Sequence, residues 1–132
     1  MGVVNLATNI KTLDKVAVKD INLKACNKRE LLLMEVRVMR DLKHPNLVNL
    51  VDTYLEEVKE VMKPTRKNLY VVMEVMEGGA LTDVAKYTVM PTNIIAMVCK
   101  EVIKGISYLH KQNVVHRDIK VRDPMKYAFF LV

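Results

Sequence analysis

The residues best suited to chemistry lie near the C-terminal end, in the segment Val114–Lys120, which reads VVHRDIK. Its two β-branched residues predict a short strand that leads into a loop, and the loop would present Asp118 and Lys120 at a surface. The Asp118 carboxylate could accept a proton from a hydroxyl nucleophile, and the Lys120 ammonium could offset charge on a transferring phosphoryl group. The tripeptide His116–Asp118 alone is a weak signal, because short motifs match by chance. Its weight depends on whether the upstream chain supplies the rest of such a site.

Length and composition restrict the fold class. The chain has 132 residues, of which 51% are apolar and 27% are charged. That length suits one domain with a modest core, and that balance is typical of a soluble globular protein. Helical and strand-like patterns both occur, so the predicted fold class is α+β. The net charge of +6 is mild, and no aromatic residues interleave with the basic clusters, so a solvated basic face is favoured over nucleic-acid binding.

The two cysteines, Cys26 and Cys99, are far apart in a chain that shows no signal peptide. This usage predicts reduced thiols and a cytoplasmic location. No apolar run approaches the roughly 20 residues needed to span a bilayer, so no membrane association is expected. The first six residues lack the Ser or Thr usual for myristoylation, which argues against an acyl anchor. The oligomeric state stays open.

The N-terminal residues predict a β-hairpin. Gly2–Ala7 and Lys15–Lys19 both alternate like strands, and a polar turn separates them. Lys19 shares a strand face with the small residue Ala17, so a flat ligand could lie there beside a positive charge. An ordinary exposed lysine at a strand end is the alternative, and this segment alone favours it.

A helix is predicted over Asn27–Leu42, with Asn27 as its N-cap. Glu35 lies between two apolar stripes of this helix. A carboxylate on a largely apolar surface is costly unless it is paired, and Lys19 is the upstream candidate for its partner. An exposed glutamate at the edge of a stripe is the alternative. The two stripes are Leu31, Met34, Val38 and Leu42, and Leu32, Val36 and Met39.

The rest of the chain predicts two more strands and then helices. The strands cover Leu47–Leu55 and Asn68–Val75, and the charged stretch between them reads as a long surface loop, with a short helix possible at Glu57–Met62. Gly78 and Gly79 then suggest a connector between two lobes, with a plain loop as the alternative. A short helical turn is predicted at Ala80–Ala85, and a long helix is predicted from Pro91 or Thr92 to near Gln112. Asn113 is predicted to follow this long helix in a left-handed conformation. The core stripe of the long helix would be Ile95, Val98, Val102, Ile106 and Leu109.

Together these segments resemble a eukaryotic protein kinase, most closely the p21-activated (Ste20-like) serine/threonine kinases. The resemblance covers Gly2 to about Met125, except for the stretch 56–67. It is carried by four motifs in the family's order: Val16–Lys19, Glu35 on the following helix, Val71–Asp83 and His116–Lys120. It implies a kinase-like N-lobe of antiparallel sheet plus one helix at 1–73, a hinge at 74–79, the start of an incomplete helical C-lobe at 80–125, and a non-family tail at 126–132.

The resemblance also implies roles around the phosphates of ATP. Lys19 would hold the α- and β-phosphates, and Glu35 would hold Lys19 through an ion pair. Asp118 would be the catalytic base, and Lys120 would meet the γ-phosphate. Asp123 stands where the family has a metal-binding Asn, and its carboxylate could still bind Mg²⁺.

Residues of the sheet and the hinge would contact the adenine by the same resemblance. Val4 and Ala17 would pack against the ring, and Met73 would guard the rear of its site. The Glu74 carbonyl and the Met76 amide would bond the adenine edge.

The chain also departs from the family pattern. Of the three glycines of the phosphate loop only Gly2 remains, and no Asp-Phe-Gly follows Met125. Met125 itself fits the family, because it falls where an apolar residue forms the floor of the adenine site. The resemblance implies a truncated serine/threonine kinase domain whose partners are ATP and protein substrates and whose reaction is phosphoryl transfer with Mg²⁺. The alternative is a catalytically dead form that acts as a binding or dominant-negative module.

Overall fold

Two compact units make up the described part of the chain. The computed structural model describes residues 3–58, 66–78, 81–117 and 119. The first unit holds four strands and one helix, and the second holds residues 42–48 and two further helices. In chain order the elements are β1 (Val3–Thr8), β2 (Lys15–Asn22), α1 (Arg29–Asp41), β3 (Leu50–Val58), β4 (Arg66–Glu74), α2 (Leu81–Tyr87) and α3 (Thr92–Lys111).

The first unit is built on an antiparallel sheet whose strand order is β1-β2-β4-β3. The hairpin of β1 and β2 confirms the prediction from alternation. Its turn is closed by Asn9, whose Oδ1 accepts a hydrogen bond from the Lys11 N–H at 2.9 Å. Leu13 completes the turn with a φ of 64°, in the left-handed region. The sheet and the helix beside it form the α+β arrangement that the sequence predicts.

The strands β3 and β4 reach further into the charged stretch than predicted. β3 continues to Val58 and β4 begins at Arg66, so the predicted loop over Glu56–Lys67 is wrong at both of its ends. Glu57 lies opposite Lys67, and their side chains form an ion pair with Nζ and Oε1 3.6 Å apart. Cross-strand charge pairing supports a ladder that no apolar pattern indicates. The short helix suggested from Glu57 onwards is therefore wrong at its start, and residues 59–65 lie outside the described residues.

The helix α1 packs through only one of its two predicted apolar stripes. Leu32 and Met39 are buried, whereas Leu31 and Met34 are 55% and 63% exposed. Leu32, Val36 and Met39 recur at helical spacing, so this side of α1 faces inward. The other stripe faces solvent at Leu31 and Met34, while Val38 and Leu42 are half-buried. The helix begins at Arg29, two residues after the predicted N-cap, and the Lys28 carbonyl accepts the Leu32 N–H at 3.1 Å.

The second unit is organised by α3, which spans Thr92–Lys111 almost as predicted. Leu109 is fully buried, but Ile95 is 44% exposed, so the predicted core stripe is confirmed only towards the C-terminal end of the helix. Residues 42–48 are held to α3 by polar and aromatic contacts. Asn46 Nδ2 donates to Glu101 Oε2 at 3.1 Å, and the rings of His44 and Tyr108 stack with centroids 4.9 Å apart.

The end of α3 explains why the next residues do not form the predicted strand. Asn113 has a φ of 58°, as predicted, and its N–H donates to the His110 carbonyl at 3.0 Å. The Val114 N–H donates to the Leu109 carbonyl at 2.9 Å, which completes a Schellman cap. Because Val114 caps the helix, residues 114–117 have no regular secondary structure, and the prediction of a short strand there is wrong. None of the helices among the described residues is long and apolar enough to cross a membrane.

The hydrogen bond between Asn46 and Glu101 should contribute more to the free energy of unfolding than the neighbouring ion pair between Lys104 and Glu101. Asn46 is buried, whereas Lys104, which bonds the same carboxylate at 2.6 Å, is half exposed. We expect Asn46→Ala to lower the free energy of unfolding by about 1–3 kcal/mol, because a buried hydrogen bond is lost. The control Lys104→Ala should change it by less than about 1 kcal/mol. Urea unfolding followed by circular dichroism measures both, and equal losses would contradict this ranking.

Candidate functional site

Lys19 on β2 and Glu35 on α1 form the ion pair that was considered from the sequence. Lys19 Nζ lies 3.5 Å from Glu35 Oε1, and the two side chains are 15% and 29% exposed. Lys19 lies in β2 between two neighbouring strands, opposite Val4 of β1 and Val71 of β4. Glu35 lies on α1 one turn after the buried Leu32, so the packing of α1 turns its carboxylate toward the sheet. The ion pair expected from the sequence is therefore present in the first unit.

Burial acts against the charge of Lys19. Burial lowers the pKa of the Lys19 ammonium, and the nearby Glu35 carboxylate opposes that change through its charge and a hydrogen bond. The Cys26 thiol acts weakly in the same direction as Glu35. An ammonium that has lost water gains from a further anion in its surroundings. This environment suits a group that holds phosphate oxygens.

The strand register brings the other sheet residues to the same face as Lys19. Ala17 is two residues from Lys19 on β2, and side chains two apart on a strand point to the same side. Val4 pairs with Lys19, and Met73 pairs with Ala17, so both lie on this face as well. Met73 is buried and Ala17 is half-buried. Four predicted site residues from three strands, Val4, Ala17, Lys19 and Met73, are thus brought together.

Glu74 ends β4 and makes contacts that sequence reasoning missed. One of its carboxylate oxygens, Oε1, accepts hydrogen bonds from the Asn49 backbone N–H at 2.6 Å and from Asn49 Nδ2 at 3.0 Å. Its own N–H donates to the Asn49 carbonyl at 3.1 Å. Met76 follows two residues later and is half-buried in the second unit. No sequence signal distinguishes Asn49, because a polar residue just before a strand is commonplace.

The predicted catalytic and metal positions belong to the part of the chain that follows Arg117. Asp118, Lys120, Asp123 and Met125 lie outside the described residues, as does the tail 126–132. Arg117, the last residue before Asp118, has a φ of 65°, a backbone conformation uncommon for a residue with a side chain. Within the described ranges, no group of three or more His, Cys, Asp or Glu side chains is arranged to hold a metal ion.

The sequence pattern of the protein kinase domain matches residues 1–123. The chain therefore belongs to the protein kinase domain family. Within that family its relatives include serine/threonine kinases of the Ste20 and p21-activated groups, which confirms the resemblance inferred from the four motifs.

Three relatives illustrate the similarity, and each match covers 90% of this chain. The chain is 43% identical to the serine/threonine-protein kinase STE20 of Candida glabrata, 46% identical to PAK 5 of Rattus norvegicus and 44% identical to PAK mbt of Drosophila melanogaster. The matches cover 12%, 15% and 17% of those proteins, respectively. The chain thus spans a small fraction of the length of the relatives it matches.

The half-buried ion pair should contribute more to stability than an exposed one of similar length. Lys67 and Glu57 are 3.6 Å apart but 50% and 45% exposed, so they form a matched control for Lys19 and Glu35. We expect Glu35→Gln to lower the free energy of unfolding by about 1–2 kcal/mol, because the half-buried Lys19 charge then loses the opposite charge of the Glu35 carboxylate. Glu57→Gln should cost less than about 1 kcal/mol. Urea unfolding at low ionic strength measures both, and an equal or larger cost for Glu57→Gln would rule out this difference.

Proposed function

We propose that this chain binds MgATP on the sheet face that carries Lys19. We further propose that the whole protein transfers the γ-phosphoryl group of ATP to serine or threonine hydroxyls. The observation that carries the proposal is the ion pair between Lys19 and Glu35, held away from water at 3.5 Å beside the small residue Ala17. Family membership and the serine/threonine kinase relatives support the same reaction class.

In this proposal, Lys19 binds the α- and β-phosphates. Its ammonium is largely desolvated, so phosphate oxygens replace interactions that water no longer provides. Glu35 keeps the ammonium in position when no nucleotide is bound, and it limits the rotamer entropy lost on binding. A half-buried carboxylate at this distance thus preorganises the cation for phosphate.

The adenine ring would lie on the apolar part of the same face. Ala17 has little side-chain volume, so a planar ring can approach the sheet backbone there. Val4 supplies an apolar contact from β1, and Met73 limits the depth from β4. The backbone groups of Glu74 and Met76 would bond the adenine edge, within the proposed hinge 74–79 between a lobe at 1–73 and a second lobe starting at 80.

The chemical step would use residues near the C-terminal end of the chain. Asp118 would take the proton from the attacking hydroxyl, and Lys120 would neutralise charge on the γ-phosphate. Asp123 would contribute one carboxylate to Mg²⁺. These carboxylate and lysine groups are the kinds that phosphoryl transfer requires.

A second candidate is a non-catalytic module that binds a partner or competes with a complete kinase. Asp123 stands where protein kinases have the metal-binding Asn of the catalytic loop, and this departure favours the second candidate. Nucleotide binding with no phosphoryl transfer to a peptide is the result that this candidate predicts.

Thermal unfolding with and without nucleotide tests the proposed binding. At a MgATP concentration ten times Kd, binding stabilises the folded chain by about 1.4 kcal/mol, which corresponds to a rise in Tm of about 4–6 °C. Lys19→Met should abolish this rise, because the phosphates lose their cation. Lys15→Met is the matched control, since Lys15 lies on the same face of β2 at its exposed start, and this variant should retain the full rise.

A Tm that millimolar MgATP leaves unchanged would refute the nucleotide site. So would a rise that Lys19→Met and Lys15→Met reduce by equal amounts, because general charge attraction would then explain the binding.

A further inference from the structure

Asn49 and Glu74 are joined by three hydrogen bonds at the end of β4. The Asn49 backbone N–H and Nδ2 both donate to Glu74 Oε1, at 2.6 and 3.0 Å, and the Glu74 N–H donates to the Asn49 carbonyl at 3.1 Å. Both residues belong to the first unit and both are half-buried. Two of the three bonds go to a carboxylate oxygen, a stronger acceptor than a neutral carbonyl, so this is a strong local contact. We refer to it as the Asn49–Glu74 clamp.

The clamp lies where the regular ladder between β3 and β4 is interrupted. Leu50 pairs with Met73 and Asp52 pairs with Val72, so Val51 is an extra residue in β3. Such a bulge removes ladder bonds and bends its strand. On the β3 side, the last residue of β4 is therefore held by one backbone bond, from its N–H to the Asn49 carbonyl, and by the two bonds that its carboxylate accepts from Asn49.

We propose that Asn49 is a positioning residue for the adenine edge. By holding the Glu74 carboxylate and N–H, it fixes the backbone of Glu74 so that the Glu74 carbonyl meets the 6-amino group of the purine. This inference rests on the proposed function, in which that carbonyl bonds the adenine. Without the clamp, the end of β4 would have to be ordered at the moment of binding, and this cost would weaken the contact with the amino group.

A positioning role differs measurably from a purely structural one. If Asn49 acts through the Glu74 carbonyl, its loss affects only nucleotides that carry a donor at position 6 of the purine. Purine riboside triphosphate lacks the 6-amino group but keeps the ring and the phosphates. A purely structural role would weaken both nucleotides equally.

The test compares the Kd of MgATP and of magnesium purine riboside triphosphate by calorimetry, for the whole chain and its variants. Asn49→Ala removes the Nδ2 bond and leaves the two bonds made by the backbone of residue 49, so we expect it to raise the Kd for ATP about 3- to 5-fold. Glu74→Ala removes both bonds to the carboxylate and should raise it about 5- to 10-fold. The Kd for purine riboside triphosphate should change less than about 2-fold, because the bond in question is absent. Glu74→Gln, which keeps an oxygen acceptor for both N–H groups, should stay closer to the parent chain than Glu74→Ala for ATP.

Asn22→Ala is the matched control. Asn22 Oδ1 accepts the Lys24 N–H at 2.9 Å in the turn after β2, so this variant also removes an asparagine side-chain hydrogen bond from the first unit. It should leave both Kd values unchanged. Circular dichroism confirms that each variant is folded at the temperature used, and Asn49→Ser, which keeps a shorter donor, replaces Asn49→Ala if that variant unfolds.

The failure of this inference differs from the failure of the proposed function. If the parent chain binds neither nucleotide, both are refuted. If the parent chain binds both nucleotides, but Asn49→Ala raises the two Kd values equally or raises neither, only the positioning role of Asn49 is refuted.

Discussion

The candidate site depends on an ammonium group that the fold holds largely away from water. Lys19 lies in the middle of the sheet, where neighbouring strands on both sides restrict access to solvent, and Glu35 compensates part of the lost hydration from α1. Either residue alone in this position would be costly, because an unpaired charge in a partly buried site loses its hydration without compensation. Together they form a pair in which each charge compensates part of the lost hydration of the other. The sheet and α1 together hold Lys19 Nζ and Glu35 Oε1 3.5 Å apart.

Two features of ordinary packing produce that distance. Antiparallel register places Val4, Ala17, Lys19 and Met73 on one face of three adjacent strands, and a shift of one residue in any of these strands would move the side chains of that strand to the other face. The rotation of α1 about its own axis decides where Glu35 points. Because Leu32 and Met39 are the residues buried in α1, Glu35 on the next turn faces the sheet and not the solvent.

Two asparagines hold irregular segments in place through contacts that are distant in sequence. Asn46 bonds Glu101, which is 55 residues away, and Asn49 bonds Glu74, which is 25 residues away. Each contact lies within one compact unit, where residues without helix or strand pairing need partners for their polar groups. A polar side chain that bonds a carboxylate meets this need and also fixes the backbone on both sides. Such contacts explain why short irregular segments in this chain have defined geometry.

The sequence by itself determined the α+β class, the order and approximate bounds of most elements, and the family, because apolar periodicity and ordered motifs are local properties of the chain. It also suggested that Lys19 and Glu35 form a pair, since a carboxylate between apolar stripes needs a cation. Only the tertiary structure decided which stripe of α1 is buried, how far β3 and β4 extend into the charged stretch, and that Val114 caps α3 instead of starting a strand. Each of these depends on a partner elsewhere in the fold. The Asn49–Glu74 clamp is the clearest case, because neither residue carries a local signal, and their hydrogen bonds exist only once β3 and β4 lie side by side.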